Sequence, residues 1–437
     1  MRRPPRAYAK FPPTATAIAT VCVGFQLCGV ANAQNSPPGM GSSYVPNFGS
    51  SFASRLANSI PISGFNGIIP PATDSDIGLD ETLTDGFKGV LIKGAGVTTT
   101  YDSNFFLAEN NPDSELITSV SGMLTYLSDP EGGAPFSIIA SYNPAIQTYL
   151  ENSENNGIDQ SGNIKMSWNG SRTSLAAFVN VTQSSGTDPI IGEFVSETLY
   201  SAGIEGRYQI APRTSISASF AAATSDYGSG SAVGSNIYTT SLSGSWAATE
   251  YFRFGPEIQY NVATSDNSGT REAWQFLLQG QYQVGTRIQV SGSIGLDYAT
   301  NSDDDGSASA GLTGSFNANY SVSERLSWSG SVVYVTVPSP DEVDYVVNNL
   351  TISTALSRKL LRAVVDVGLA LNIASYEGVG PVTTSLEDEN NLNAFVTYSR
   401  TLFLERVNFV SSLFYSVNNG QSDWTQFQLS VGLNAQF

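Results

Sequence analysis

The chain contains no histidine, and its two cysteines, Cys22 and Cys28, both fall within the first 33 residues. Without imidazole there is no Ser-His-Asp or Cys-His nucleophile, no imidazole-bound zinc and no ordinary histidine acid–base chemistry. Clustered carboxylates remain. Asp303, Asp304 and Asp305, followed by Gly306, form one acidic run, and Glu387-Asp388-Glu389 forms another. Hard cations such as Ca²⁺ favour clustered oxygen ligands, but neither run has EF-hand spacing or a distal bidentate glutamate. A solvated loop tip is the simpler reading, with divalent-cation binding as its alternative. No other metal and no organic cofactor is implied. Hydrolysis by an Asp/Glu pair alone is the one enzymatic route left open. No pair is marked out for it, so the expectation is a protein that is not an enzyme. A second set of charges stands singly among neutral polar residues: Lys165, Glu205, Arg207, Glu257, Asp297, Arg362 and Asp366. Sparse charges of both signs suit the wall of a weakly selective aqueous passage better than a dense single-sign ring. Mutual ion pairing within that wall is the competing reading.

Those charges lie on segments of period two. In the last eleven residues, Phe427, Leu429, Val431, Leu433, Ala435 and Phe437 alternate with Gln428, Ser430, Gly432, Asn434 and Gln436. Residues of one parity share one face of a strand. An apolar face toward lipid and a polar face toward a wet interior is the requirement of a transmembrane barrel strand. The same alternation recurs along most of the chain after about residue 90. Candidate strands lie at about 90–101, 115–128, 135–150, 161–169, 173–184, 196–210, 214–226, 235–248, 253–265, 271–284, 288–300, 307–321, 326–337, 344–356, 361–374, 391–400, 406–417 and 424–437. This gives eighteen strands, with sixteen as the alternative because Pro135 and Pro144 interrupt the third segment.

Connections alternate between tight ones, such as Asn169-Gly170 and Ser323-Glu324-Arg325, and longer acidic ones, such as 102–114 and 376–390. Short periplasmic turns and long exterior loops are the outer-membrane pattern, and an even strand count puts both barrel ends on the periplasmic side. Trp168, Trp246 and Trp328 fall beside the short turns, and Trp274 and Trp424 near the long ones, as interfacial aromatic girdles would. The fold class expected is all-β: one antiparallel up-and-down transmembrane barrel over residues 89–437.

Arg2, Arg3, Arg6 and Lys10 precede an apolar stretch that ends at Ala31-Asn32-Ala33. This is the layout of a cleaved signal peptide at 1–33. Removing those four from 20 Lys+Arg leaves 16 against 38 Asp+Glu, a net −22 where the whole chain has −18. An acidic chain of this kind argues against nucleic-acid partners. Residues 34–88 are rich in Ser, Pro, Gly and Asn and read as a periplasmic lead-in, or as a plug carrying Phe65, Ile68 and Ile69.

The terminal Phe437, with Leu433 and Phe427 in the same parity, resembles the C-terminal signal that outer-membrane proteins present to the barrel-assembly machinery. In the first strand, Val97-Thr98-Thr99-Thr100-Tyr101-Asp102-Ser103-Asn104-Phe105-Phe106 carries a Tyr-Asp-x-Asn element. With Ser114–Gly122 and Ala140–Pro144 it resembles the type 2 β-barrel porin family of bacterial outer membranes, over about 90–150. Gly122 stands where that pattern leads one to expect proline. The resemblance singles out Tyr101, Asp102 and Asn104. It implies an outer-membrane porin-like barrel, with members often tied to exopolysaccharide or envelope systems, and no catalytic residues.

The expected function is a channel for small hydrophilic solutes in the outer membrane of a Gram-negative bacterium, with exported polysaccharide as a further cargo. The alternative is a closed structural or adhesive barrel with functional acidic loops. Outer-membrane lipids are the expected surroundings, and a homotrimer is common at this size, although no residue demands one.

Overall fold

The computed structural model describes residues 89–128, 134–187, 194–228, 234–265, 269–284, 287–301, 308–338, 345–378, 388–402, 406–420 and 423–437. The signal segment, the 34–88 lead-in, Asp303, Asp304, Asp305 and Glu387 lie outside the described residues.

Eighteen strands follow in order: β1 (Val90–Asp102), β2 (Glu115–Leu127), β3 (Phe136–Tyr149), β4 (Gly157–Asn169), β5 (Thr173–Thr187), β6 (Phe194–Ala211), β7 (Thr214–Tyr227), β8 (Ser235–Ala247), β9 (Phe252–Ser265), β10 (Gly269–Val284), β11 (Ile288–Asn301), β12 (Ala308–Ser323), β13 (Leu326–Pro338), β14 (Tyr345–Lys359), β15 (Ala363–Gly378), β16 (Glu389–Thr401), β17 (Val407–Asn419) and β18 (Trp424–Gln436). Each pairs antiparallel with the next, and β18 pairs with β1 from Gly94↔Gln436 to Asp102↔Gln428. The sheet therefore has no free edge, which satisfies every ladder without water and permits a strand structure to span lipid. The count of eighteen stands and the sixteen-strand alternative falls.

The third segment survives its proline. Pro144 remains paired with Gln160 of β4, while the β2–β3 register skips from Ser121↔Ala145 to Leu124↔Tyr142. Proline has no N–H to offer, so the ladder opens on one side only. Gly122 sits opposite, and a Cβ there would lie 3.5 Å from the proline ring. That is ordinary van der Waals contact, so Gly122 lies against the proline of the neighbouring strand without being required by it. Gly244 and Pro256 repeat this arrangement between β8 and β9, whose register skips from Ser243↔Glu257 to Trp246↔Phe254.

One parity of each strand exposes large apolar side chains, including Val120, Ile164, Ile204, Phe276, Leu296, Leu312 and Leu369. An apolar surface encircling the molecule far exceeds any patch tolerated in water, and lipid is the solvent that removes its cost. Tyr142, Tyr208, Tyr282, Tyr298, Tyr320 and Tyr415 share this outer face, as do Trp168, Trp246, Trp274 and Trp328. Trp424 departs from the girdle expected of it. It is only 3 % exposed and shares its parity with the buried Gln426 and Gln428, so it faces inward.

Candidate functional site: the inner wall and its rim

The inner parity is lined with neutral hydroxyls and amides that hydrogen-bond from strand to strand. Ser217 meets Ser243 at 2.7 Å, Ser219 meets Ser241 at 2.8 Å, Ser293 meets Ser315 at 3.0 Å and Ser331 meets Ser353 at 2.6 Å. Thr100 meets Ser430 at 2.7 Å across the closing seam. Thr239 donates to Asn261 at 2.8 Å, and Ser416 donates to Asn393 at 2.6 Å. Short side chains directly opposite each other on adjacent strands can make such bonds without bending the sheet. Many wall side chains are thus bonded to one another, while buried Asp297 Oδ1, Trp424 Nε1, Gln426 Oε1 and Asn434 Nδ2 have no protein partner among the described residues.

The predicted charges divide into groups. Glu205 lies within electrostatic reach of both Lys165 and Arg207, so the three form one cluster on β4 and β6. Glu257 accepts from Gln279 Nε2 at 3.1 Å. Asp366 is buried and paired in register with Ser357. Asp297 is not a lone charge, because Arg271 Nη2 bridges to it at 3.0 Å with both side chains buried. Arg362 is not in the wall. It is exposed in the turn between β14 and β15, because β15 begins at Ala363 and not at residue 361.

Arg271 was legible from its parity with Ala273 and Gln275, both inward on β10, but the sequence reading passed over it. It also missed Asp159 and Glu197, buried acids close to the long-loop ends of β4 and β6. Gln147 Nε2 donates to Asp159 Oδ2 in a short contact, and Ser185 N donates to its Oδ1 at 2.9 Å. Among the described residues no group of three or more His, Cys, Asp or Glu is placed to hold a metal ion.

At the long-loop end of β1, the Tyr101-Asp102-x-Asn104 element sits at the seam. Tyr101 faces outward, while Asp102 is 0 % exposed. Its carboxylate accepts from Gln426 Nε2 at 2.9 and 3.1 Å, from Gln428 Nε2 at 2.8 Å and from the Asn104 backbone N–H at 3.0 Å. Asn104 Nδ2 donates to the carbonyls of Ala108 at 2.9 Å and Thr425 at 3.0 Å, and its Oδ1 accepts from Ala108 N–H at 2.9 Å. Glu115, opposite Asp102 in the β1–β2 register, accepts from the backbone N–H groups of Leu116, Leu150, Glu151 and Asn152 and from Asn152 Nδ2. Among the described residues the two buried carboxylates are thus held by neutral donors, which is how a buried charge is kept without a counter-ion. The motif residues organise the rim. They supply no reactive group.

Phe437 closes the short-turn end of the seam through its backbone. Its N–H donates to Lys93 O at 2.7 Å and its carbonyl accepts from Lys93 N–H at 3.2 Å, while the side chain is 62 % exposed. Leu433 points outward with it. Phe427 is half-buried at the other end of β18, where its N–H donates to Ser103 Oγ at 2.8 Å.

A closed barrel of eighteen strands with an apolar outer belt and a polar inner face has only one solvent that suits it. The chain is an integral outer-membrane β-barrel. No protein-family model and no curated protein sequence matches it. Among solved structures it is similar to the outer membrane protein OpdK of Pseudomonas aeruginosa, at 11 % identity and a TM-score of 0.43, covering 79 % of this chain and 99 % of that one. It is similar to Pseudomonas aeruginosa OpdL at 7 % identity and a TM-score of 0.43, over 80 % and 99 % of the two chains. It is also similar to the copper transporter OprC at 9 % identity and a TM-score of 0.41, over 75 % of this chain and 61 % of that one, so it spans about three fifths of that transporter. The likeness is one of architecture.

Proposed function

We infer that this barrel is a channel for the diffusion of small hydrophilic solutes, with weak ion selectivity. One observation carries the reading: the inner parity of a closed ring of eighteen strands is lined mostly by hydroxyl and amide side chains, many bonded from strand to strand. A ring of this size is wide enough to leave an aqueous passage, whereas an eight-stranded one would be filled by its own side chains. The wall charges support weak selectivity. Glu205 is offset by Lys165 and Arg207, and Asp297 by Arg271, which leaves Glu257 and Asp366 as the wall acids of that set with no basic side chain beside them among the described residues. These favour cations over anions without excluding anions.

Outer-membrane lipids surround the belt, and the exposed Phe437 is a residue for the assembly machinery to read. A tie to exported polysaccharide is carried by the family resemblance alone. Planar-bilayer recording of the refolded chain tests the reading. Stepwise currents in KCl with a modest preference for K⁺ are expected, and folded protein that gives no steps would overturn it.

A further inference from the structure

Asn104 and Phe105 are consecutive, yet they hold opposite ends of an arc of six strands. Asn104 Nδ2 donates to the Thr425 carbonyl of β18 at 3.0 Å, while the Phe105 carbonyl accepts from the Thr187 hydroxyl of β5 at 2.6 Å. Bond lengths and hydrogen bonds along that path place the two anchor atoms at most about 15 Å apart. Around the wall, β18 and β5 are separated by five spacings of about 4.8 Å, roughly 24 Å. The rim therefore cannot follow the wall here. The end of β5 and the start of β6 bend in across the mouth to meet the β1–β2 loop.

Three rings fill the junction. Phe105 lies 5.3 Å from Tyr149 of β3 and 5.8 Å from Phe194 of β6, and Tyr149 and Phe194 meet edge-on at 5.7 Å. Phe106 packs against Phe105 at 4.9 Å, and Ile117 on the inner face of β2 supports the group. Mutually packed aromatic rings add directional attraction to the area they bury. The loop is also folded on itself. Phe105 N–H donates to Asp113 O at 2.8 Å, and Leu107 and Asn111 adopt φ of 54° and 56°. Asparagine adopts that conformation readily, whereas leucine holds it where its surroundings impose it. The Asp102–Gln426–Gln428 network fixes one foot of the loop, and the rings fix its crown.

We propose that this junction is a clasp across the long-loop mouth and that it sets the size limit for solutes entering the channel. It rests on the channel reading above and adds the element that determines what passes. The clasp is apolar and neutral where it bridges, so it filters by size and leaves ion preference to the wall.

The test uses the full chain carrying Phe105→Cys and Phe194→Cys, with each single substitution as control. It is studied with the two thiols bridged by a short bis-methanethiosulfonate linker, which forms a disulfide with each thiol and releases methanesulfinate, and again after reduction of those disulfides. Reduction frees the crown of the loop, whose rings the substitutions have removed, while the Asp102 network still holds its foot. Unit conductance should rise by about twofold on reduction, as a wider entrance lowers the access barrier, and proteoliposomes should admit larger neutral sugars. Failure of the bridge to form in the folded barrel would overturn the clasp, as would a bridged and reduced channel of equal conductance and size limit. A wild-type chain that is silent while the reduced variant conducts would keep the clasp and remove the free-diffusion reading. Silence of both would remove both.

Discussion

Gln426 Nε2 lies 2.9 Å from Asp102 Oδ2 and 3.1 Å from its Oδ1, a contact across the seam between residues 324 positions apart. The carboxylate has no cation beside it among the described residues, so the amides of Gln426 and Gln428 carry much of its stabilisation. Closure of the barrel by β18 is what brings them there. The order of the β1–β2 loop therefore depends on the last strand to be made.

Gln426→Leu should leave the carboxylate with Gln428 and the Asn104 N–H alone. Losing hydrogen bonds to a buried charged group costs about 1.5–3 kcal/mol. Urea unfolding in detergent micelles should show a loss of that order. An unchanged midpoint would mean that water reaches Asp102.

Arg271 and Asp297 form a buried ion pair. Arg271→Ala should destabilise the fold by about 3–5 kcal/mol, because it strands a buried carboxylate, whereas Arg271→Ala with Asp297→Ala should recover most of the loss. The single variant should also shift permeability toward K⁺, and the double should return it. Losses in Arg271→Ala and Asp297→Ala that simply add in the double variant would show that the two do not interact.

Gly255 faces the backbone of the neighbouring strand. A Cβ there would lie 1.9 Å from the Gly244 carbonyl oxygen, whereas a Cβ on Gly186 would meet nothing within 4 Å. Gly255→Ala should cost about 1–3 kcal/mol through forced backbone shift. Gly186→Ala should unfold at the wild-type midpoint, and a comparison of the two by urea titration checks the geometry of the β8–β9 pair.

Phe437 gives the seam its backbone and gives lipid its ring. Phe437→Ala should lower the yield of membrane-inserted protein in cells while leaving the unit conductance of assembled barrels unchanged. Normal insertion would remove its role as an assembly signal.

Most of the wall was legible because parity is a local property. Once Leu429, Val431 and Leu433 are assigned outward, Gln428, Ser430 and Asn434 must face inward, and no long-range information is needed. Errors gathered where strands end. Trp424 looked interfacial by its position, but parity places it with Gln426. Arg362 looked like a wall charge because the strand was begun two residues early. The rim was hidden for a different reason. Phe105 and Phe106 lie between strands, where no period applies, and the partners Tyr149, Thr187 and Phe194 are distant in sequence. The Tyr101-Asp102-x-Asn104 element marked the right place without showing that its role is to anchor a loop.

The central claim is that the polar wall encloses an open aqueous path. Single-channel recording of the full, refolded chain in planar bilayers tests it most directly. Discrete steps that persist at low voltage, with a modest K⁺ preference that disappears when Glu257 and Asp366 are both changed to their amides, are the predicted result. Protein shown to be folded and inserted that passes no current would contradict it.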